Sequence, residues 1–217
     1  MNTSPDNQNP PFGFRIEQVL TTGTLGPCPA SSAVRPPVNC WVVGDSHDVV
    51  VVDAGGGPEL TAAAVGGRRV TALICTQGGR THTSAAVDVA WELCTPILLH
   101  PADHALWEAV HGQSRYWRLD HQQRIAVAGE DIEVLHTPHP TAGSVSLYLA
   151  GHGAVLTGDT LTPDIAAGSG WTARTHSSSV HALHDLPPDT RVHPGHGDSF
   201  LLGEILSPTD RWVRHGA

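Results

Sequence analysis

Histidine offers this sequence most of its chemistry: the chain holds 15 of them, and imidazole both titrates near neutrality and binds metal ions. Several stand in short polar stretches that follow aliphatic runs: Asp53-Ala54-Gly55, Thr76 to His82, His136 to Ser144, Gly158-Asp159-Thr160, and His193-Pro194-Gly195-His196-Gly197. Side chains at the ends of strands are held over a rigid scaffold by loops, which is where sites are built. His82, Asp159 and His196 are among the residues so placed, and clustered polar groups at strand ends usually mark a pocket, in which a histidine can act as general base or acid with a carboxylate orienting it. Other chemistries are excluded. All 12 basic residues are Arg, so a Schiff base, a lysine-anchored pyridoxal cofactor and a P-loop lysine are impossible. Cys28, Cys40, Cys75 and Cys94 lack the C-x-x-C spacing of a zinc ribbon or redox motif and read as buried thiols. No Gly-x-Ser-x-Gly elbow is present to support a serine nucleophile.

The elements that must carry these stretches are legible as patterns. Val42-Val43 and Val49 to Val52, separated by Gly44-Asp45-Ser46-His47-Asp48, predict a hairpin ending at Asp53. A strand is expected over Val70 to Cys75, and a helix that starts just after His82 and buries Ala85, Ala86, Val89, Ala90 and Leu93. Ile97 to Leu99 predicts a strand, and Pro101 opens a second helix. Further strands are expected at Ile125 to Val127, Ile132 to Leu135, Ser144 to Leu149, Ala154 to Leu156 and Arg191 to His193, with a helix over Ser178 to Asp185 and another near Leu201. Two sets of strands, each followed by helices, predict an α/β sandwich of two facing sheets covered by helices.

Length and charge bound the rest. A chain of 217 residues, 40% hydrophobic and 15% charged, suits one globular domain over residues 14–217 behind a flexible polar arm over residues 1–13. The formal net charge of -9 argues against nucleic acid or an anionic membrane as partner and for a small-molecule substrate. The start of the sequence has no charged and then apolar signal pattern, which makes the cytoplasm the expected location.

In order and spacing, four segments make the chain resemble the metallo-β-lactamase superfamily, in its glyoxalase II-like branch. They are Asn39-Cys40-Trp41-Val42-Val43-Gly44, Val51-Val52-Asp53-Ala54-Gly55, Leu156-Thr157-Gly158-Asp159-Thr160-Leu161, and Leu186 to Gly197. The resemblance implies a four-layer αββα sandwich whose strand-end loops hold two metal ions and a water made nucleophilic by them. Here the implied ligand set is broken. The family's His-x-His-x-Asp-His loop aligns with Gln77, Gly79, Thr81 and His82, and a further His position aligns with Pro140. The first metal position loses its three His ligands. The second keeps His82, Asp159 and His196 and loses the Asp that is Thr81 here.

Gly79 and Pro140 have no side-chain donor, and the neutral amide of Gln77 is a poor zinc ligand, so a two-metal centre is not expected. The expected cofactor is none, or at most one Zn2+ held by His82, Asp159 and His196. Gln77, Thr81 and His139 are expected to contact substrate, and Asp53 to support His82 by hydrogen bonding or to act only as a turn former. His139 stands beside the lost Pro140 position, on the opposite side of an extended chain. His136, His176, His181 and His184 are further candidates for the pocket lining. Three functions follow as expectations. One is a metal-poor or metal-free enzyme performing elimination, isomerisation or cyclisation of a small organic molecule. The others are a mononuclear zinc hydrolase of an ester, thioester or lactone, and a ligand-binding pseudoenzyme.

Overall fold

The computed structural model describes residues 13–21, 37–162 and 182–204. The expected arm and the expected loop over residues 26–37 lie outside them, except for Gly13 and Pro37, as do Cys28, His176 and His181.

Two six-stranded sheets face one another. The first runs in sequence order through β1 (Arg15–Thr21), β2 (Val38–Gly44), β3 (Asp48–Val52), β4 (Arg69–Ile74), β5 (Ile97–Leu99) and β6 (Trp117–Arg118). The second runs in reverse order through β12 (Phe200–Leu201), β11 (Arg191–Pro194), β10 (Ala154–Gly158), β9 (Val145–Leu149), β8 (Glu130–His136) and β7 (Arg124–Val127). The β2–β3 pair is the expected antiparallel hairpin, while β3, β4, β5 and β6 pair in parallel through helical crossovers. Strand alternation sorts the valines into layers. Trp41, Val43, Val50, Val52 and Ile74 of the first sheet meet Ile132, Val134, Leu147 and Leu156 of the second, and form the core between the sheets. Val42, Val49, Val51 and Leu73 face outward against the helices.

Those helices are α1 (Pro58–Val65), α2 (Arg80–Thr83), α3 (Ala86–Glu92) and α4 (His104–His111). Trp107 of α4 is fully buried and donates its indole N–H to the Ser114 carbonyl at 2.8 Å. On the outer face of the second sheet, Val155, Leu161, Leu183, Val192 and Leu202 form a third cluster, covered by a helical stretch at residues 182–184. This is the expected αββα architecture.

Two expected helices take another form, one helix was not expected, and the helix expected near Leu201 is strand β12 followed by a 3-10 turn over Leu202–Glu204. The helix expected after His82 is two: α2 begins at Arg80, so His82 sits inside its single turn, and the chain breaks at Ala85 (φ -103°, ψ 4°) before α3. Pro101 opens a 3-10 turn over Pro101–Asp103 before α4 begins. α1 escaped the pattern because Thr61-Ala62-Ala63-Ala64 gives almost no apolar stripe; Pro58 starts it and the left-handed Gly66 stops it, its N–H bonding the Ala62 carbonyl. Of the described cysteines, Cys40 and Cys75 are buried as expected, whereas Cys94 is exposed.

His193 of β11 is a buried titrating group. Burial, aided by the Arg191 charge, lowers its pKa from 6.5 to about 4, and its Nδ1 pairs with the Ser199 hydroxyl at 2.8 Å. A histidine that folds neutral gives stability that is complete above the unfolded pKa of 6.5 and is lost as pH falls through the folded value of about 4. The thermal midpoint of the protein is expected to fall over that window, and His193→Asn to flatten the slope there; an unchanged slope in the variant would show that other groups control the acid limb.

Candidate active site

The site forms where β3, β4, β10 and β11 end. The chain after β3 enters the left-handed region at Asp53 (φ 59°), which bulkier residues avoid and which costs of order 1–3 kcal/mol. The Asp53 carboxylate is 1% exposed and accepts the Thr76 N–H at 2.8 Å and the Thr76 hydroxyl at 2.7 Å. The same carboxylate stands 2.8 Å from Nδ1 of His82, which is fully buried. The supporting role read for Asp53 thus has a geometric basis. On the other side of the ring, Nε2 lies 2.9 Å from Oδ2 of Asp159.

His82 is consequently an imidazole held between two carboxylates. Burial alone would lower its pKa. The charge of Asp53, hydrogen bonds to Asp159 and Asp53, and the charge of Asp159 outweigh burial and raise it from 6.5 to about 10. The Asp159 carboxyl is held below its ordinary value: burial opposes this, but its hydrogen bond to His82, the charges of His82 and His196 and the Gln77 hydrogen bond prevail. Both ring nitrogens of His82 are engaged, so as an acid–base candidate it has no free nitrogen to offer a substrate. Its place is to join Asp53 to Asp159.

His196 is placed differently. Its ring is about one quarter exposed (23%), and Nδ1 donates to the Pro37 carbonyl at 2.9 Å. That bond leaves Nε2 facing Oδ1 of Asp159 at 3.5 Å, and this oxygen is buried with no hydrogen-bond partner. The rings of His82 and His196 meet edge to face, with centroids 5.4 Å apart. Ligand atoms of His82, Asp159 and His196 all lie within 4.8 Å of one another, forming the one such group among the described residues. A histidine, carboxylate, histidine set with a bare carboxylate oxygen suits one zinc-like ion.

The remaining expectations divide. Gln77 is 4% exposed and donates its side-chain amide to Asp159 Oδ2 at 2.9 Å, so it belongs to the site. Thr81 is half-buried on α2, and its hydroxyl bonds none of the three central residues. His139 is half-buried and is not a member of the ligand-type group; its carbonyl accepts the Thr160 hydroxyl at 2.7 Å. His136 lies outside the trio and stacks on His100 with centroids 4.2 Å apart, and His184 is exposed.

Residues without acid–base chemistry also build the site. Asn39 donates from its amide to the carbonyls of Pro194 at 2.9 Å and Gly197 at 2.8 Å, and the Trp41 indole donates to the Pro194 carbonyl at 3.1 Å. These bonds fix the loop that carries His196, which gives a reason for the Asn39-Cys40-Trp41 segment. Gly195 donates its N–H to the Gly158 carbonyl at 2.7 Å and thereby couples that loop to Asp159.

A model of the metallo-beta-lactamase superfamily matches residues 33–196, and the chain belongs to that superfamily. It is 29% identical over 162 residues to a hydroxyacylglutathione hydrolase of Fuscovulum blasticum, covering 68% of this chain and 56% of that protein. A hydroxyacylglutathione hydrolase of Aeromonas hydrophila subsp. hydrophila is 29% identical over 161 residues, covering 72% of this chain and 59% of that protein. The chain thus spans less than two thirds of the length of these relatives. Among solved structures, the di-iron-bound form of TTHA1623 superposes with a TM-score of 0.67 at 26% identity, covering 86% of this chain and 97% of that one. ETHE1 from Myxococcus xanthus superposes with a TM-score of 0.62 at 22% identity, covering 93% and 84%.

Gly195 supplies a test of this packing. A Cβ there would stand 2.6 Å from His82 Cε1 and 2.8 Å from Asp159 Oδ1. Gly195→Ala is expected to cost about 1–3 kcal/mol in denaturant unfolding, the usual range for overpacking; an unchanged midpoint would mean that the loop does not pass this close to the ring.

Proposed function

We propose that this chain is an enzyme acting on a small carbonyl-containing molecule in the cytoplasm, with His196 as the proton-transferring group and Asp159 as its partner. The reaction class is elimination, isomerisation or cyclisation. The observation that carries the reading is the Gln77 amide on Asp159 Oδ2 at 2.9 Å. An amide N–H occupies one lone pair of Asp159 on the side where the superfamily's first metal position would lie, and Gly79 and Pro140 supply no donor there. That side carries no imidazole at positions 77, 79 and 140, and it is offered to substrate rather than to an ion.

The chain's own residues then divide the work. Asp53 and Asp159 hold His82 as a fixed positive charge, which keeps Asp159 ionised. The Pro37 carbonyl fixes the His196 tautomer with Nε2 as the basic atom. A proton taken from substrate at Nε2 gives an imidazolium that the bare Oδ1 of Asp159 stabilises, and the same atom returns the proton to the departing or newly formed group. The relatives' names, which denote thioester hydrolases, support a carbonyl compound as substrate. The free thiols of Cys40, Cys75 and Cys94 suit a reducing compartment.

A second reading has its own observation. The clustered donor atoms of His82, Asp159 and His196 could hold one zinc ion, which would act as a Lewis acid on an ester, thioester or lactone carbonyl. The two readings separate by assay of the purified protein on hydroxyacylglutathione thioesters and a panel of simple carbonyl compounds, with and without a chelator. The acid–base reading predicts activity that survives chelation, falls at least about 100-fold in His196→Ala and returns in part when imidazole is added. Loss on chelation with recovery on adding zinc would establish the hydrolase reading instead. Full activity in His196→Ala and Asp159→Ala would overturn both and place the chemistry at other residues, whereas no turnover of any of these compounds, with or without zinc, would leave a binding protein.

A further inference from the structure

The side of the site altered from the superfamily pattern is tied together by a buried acid that no motif singles out. Asp103 closes the 3-10 turn between β5 and α4 and is 1% exposed. Its Oδ2 accepts the Gly78 N–H at 2.7 Å and the Thr141 hydroxyl at 2.5 Å, and its Oδ1 accepts the Gly143 N–H at 2.7 Å. One carboxylate therefore binds the loop that carries Gln77 and Gly79 to the loop that carries His139 and Pro140. Three donors on a buried carboxylate offset the loss of its hydration.

Both glycines are required by contact with this side chain. A Cβ on Gly143 would stand 2.6 Å from Asp103 Cγ, and one on Gly78 would stand 2.8 Å from Asp103 Cβ. The bond to the Gly78 N–H also fixes the peptide that follows Gln77. The direction of the Gln77 side chain toward Asp159 depends on that peptide.

We infer that Asp103 is a positioning residue for catalysis: it holds the Gln77 amide on Asp159 and so shapes the side of the site altered from the superfamily pattern. The role in catalysis rests on the acid–base reading above, whereas the link from Asp103 to Gln77 is a matter of geometry alone. Asp103→Asn keeps the size of the side chain and replaces one oxygen with a donor, so it cannot accept all three bonds. The Gly78 and Gly143 amides then compete for one acceptor.

The test is the side-chain amide signal of Gln77 in 15N–1H NMR spectra of the full chain, assigned by its absence in Gln77→Ala. In the unaltered protein the amide bonded to a carboxylate is expected well away from free glutamine amides. In Asp103→Asn it is expected to move to the free position while the β2–β4 backbone signals stay in place. Thr141→Val, which removes one of the three bonds and leaves both glycine contacts, is expected to keep the signal and serves if Asp103→Asn does not fold. In that case Gly78→Ala in the Thr141→Val background is expected to release it. A Gln77 signal that stays bonded when the Asp103 contacts are broken would overturn the inference and leave the acid–base reading standing. A Gln77 signal at the free position in the unaltered protein would instead remove the observation on which that reading rests.

Discussion

Two carboxylates converge on one imidazole with no access to water. Asp53 stands 2.8 Å from Nδ1 of His82 and Asp159 2.9 Å from Nε2. Two carboxylates so close to one ring, Asp53 buried and Asp159 23% exposed, favour a positive charge between them. Against burial, their charges and hydrogen bonds raise the pKa of His82 to about 10, which favours a ring protonated on both nitrogens. Removing one member of such a set leaves an uncompensated buried charge, at a cost of about 3–5 kcal/mol. Much of the surrounding architecture serves this line of charges: the left-handed backbone at Asp53, the two bonds from Thr76, and a glycine at position 195 where any side chain would strike the ring or the carboxylate.

The same arrangement explains why the two sides of the site differ. On the side of His196, Asp159 presents a bare buried oxygen to an imidazole nitrogen, an arrangement able to share a proton or to hold one ion. On the side of Gln77, its other oxygen is taken by an amide, and the loops are closed by the three bonds to Asp103. The two oxygens of Asp159 thus meet different partners, a histidine ring on one side and an amide on the other.

Much of this was legible in the sequence because strand patterns and strand-end polar residues are local signals. Alternating valines at Val49 to Val52 report directly which face meets the other sheet and which meets the helices. His82, Asp159 and His196 could be brought together because each follows such a strand and matches a ligand position of the superfamily. The start of α2 could not be read, since Gly78-Gly79-Arg80-Thr81 has no apolar period, and His82 inside a helical turn is fixed by tertiary bonds such as Ala54 N–H to the His82 carbonyl at 2.8 Å. The roles of Asp103 and Asn39 were equally hidden. Most of their partners are backbone groups far away in sequence, and a hydrogen bond between distant backbone and side chain leaves no spacing to detect. The signal available at Asp103 was a weak one: an acid two residues after a proline, between strand β5 and helix α4.

A protonated ring between Asp53 and Asp159 carries one proton on each nitrogen, and neutron diffraction from deuterium-exchanged crystals of the protein purified without added metal locates both directly. Deuterons are expected on Nδ1 and Nε2 of His82, one pointing at Asp53 and the other at Asp159. A His82 ring with deuterium on Nδ1 alone, and a metal ion or nothing at Nε2, would contradict a protonated ring.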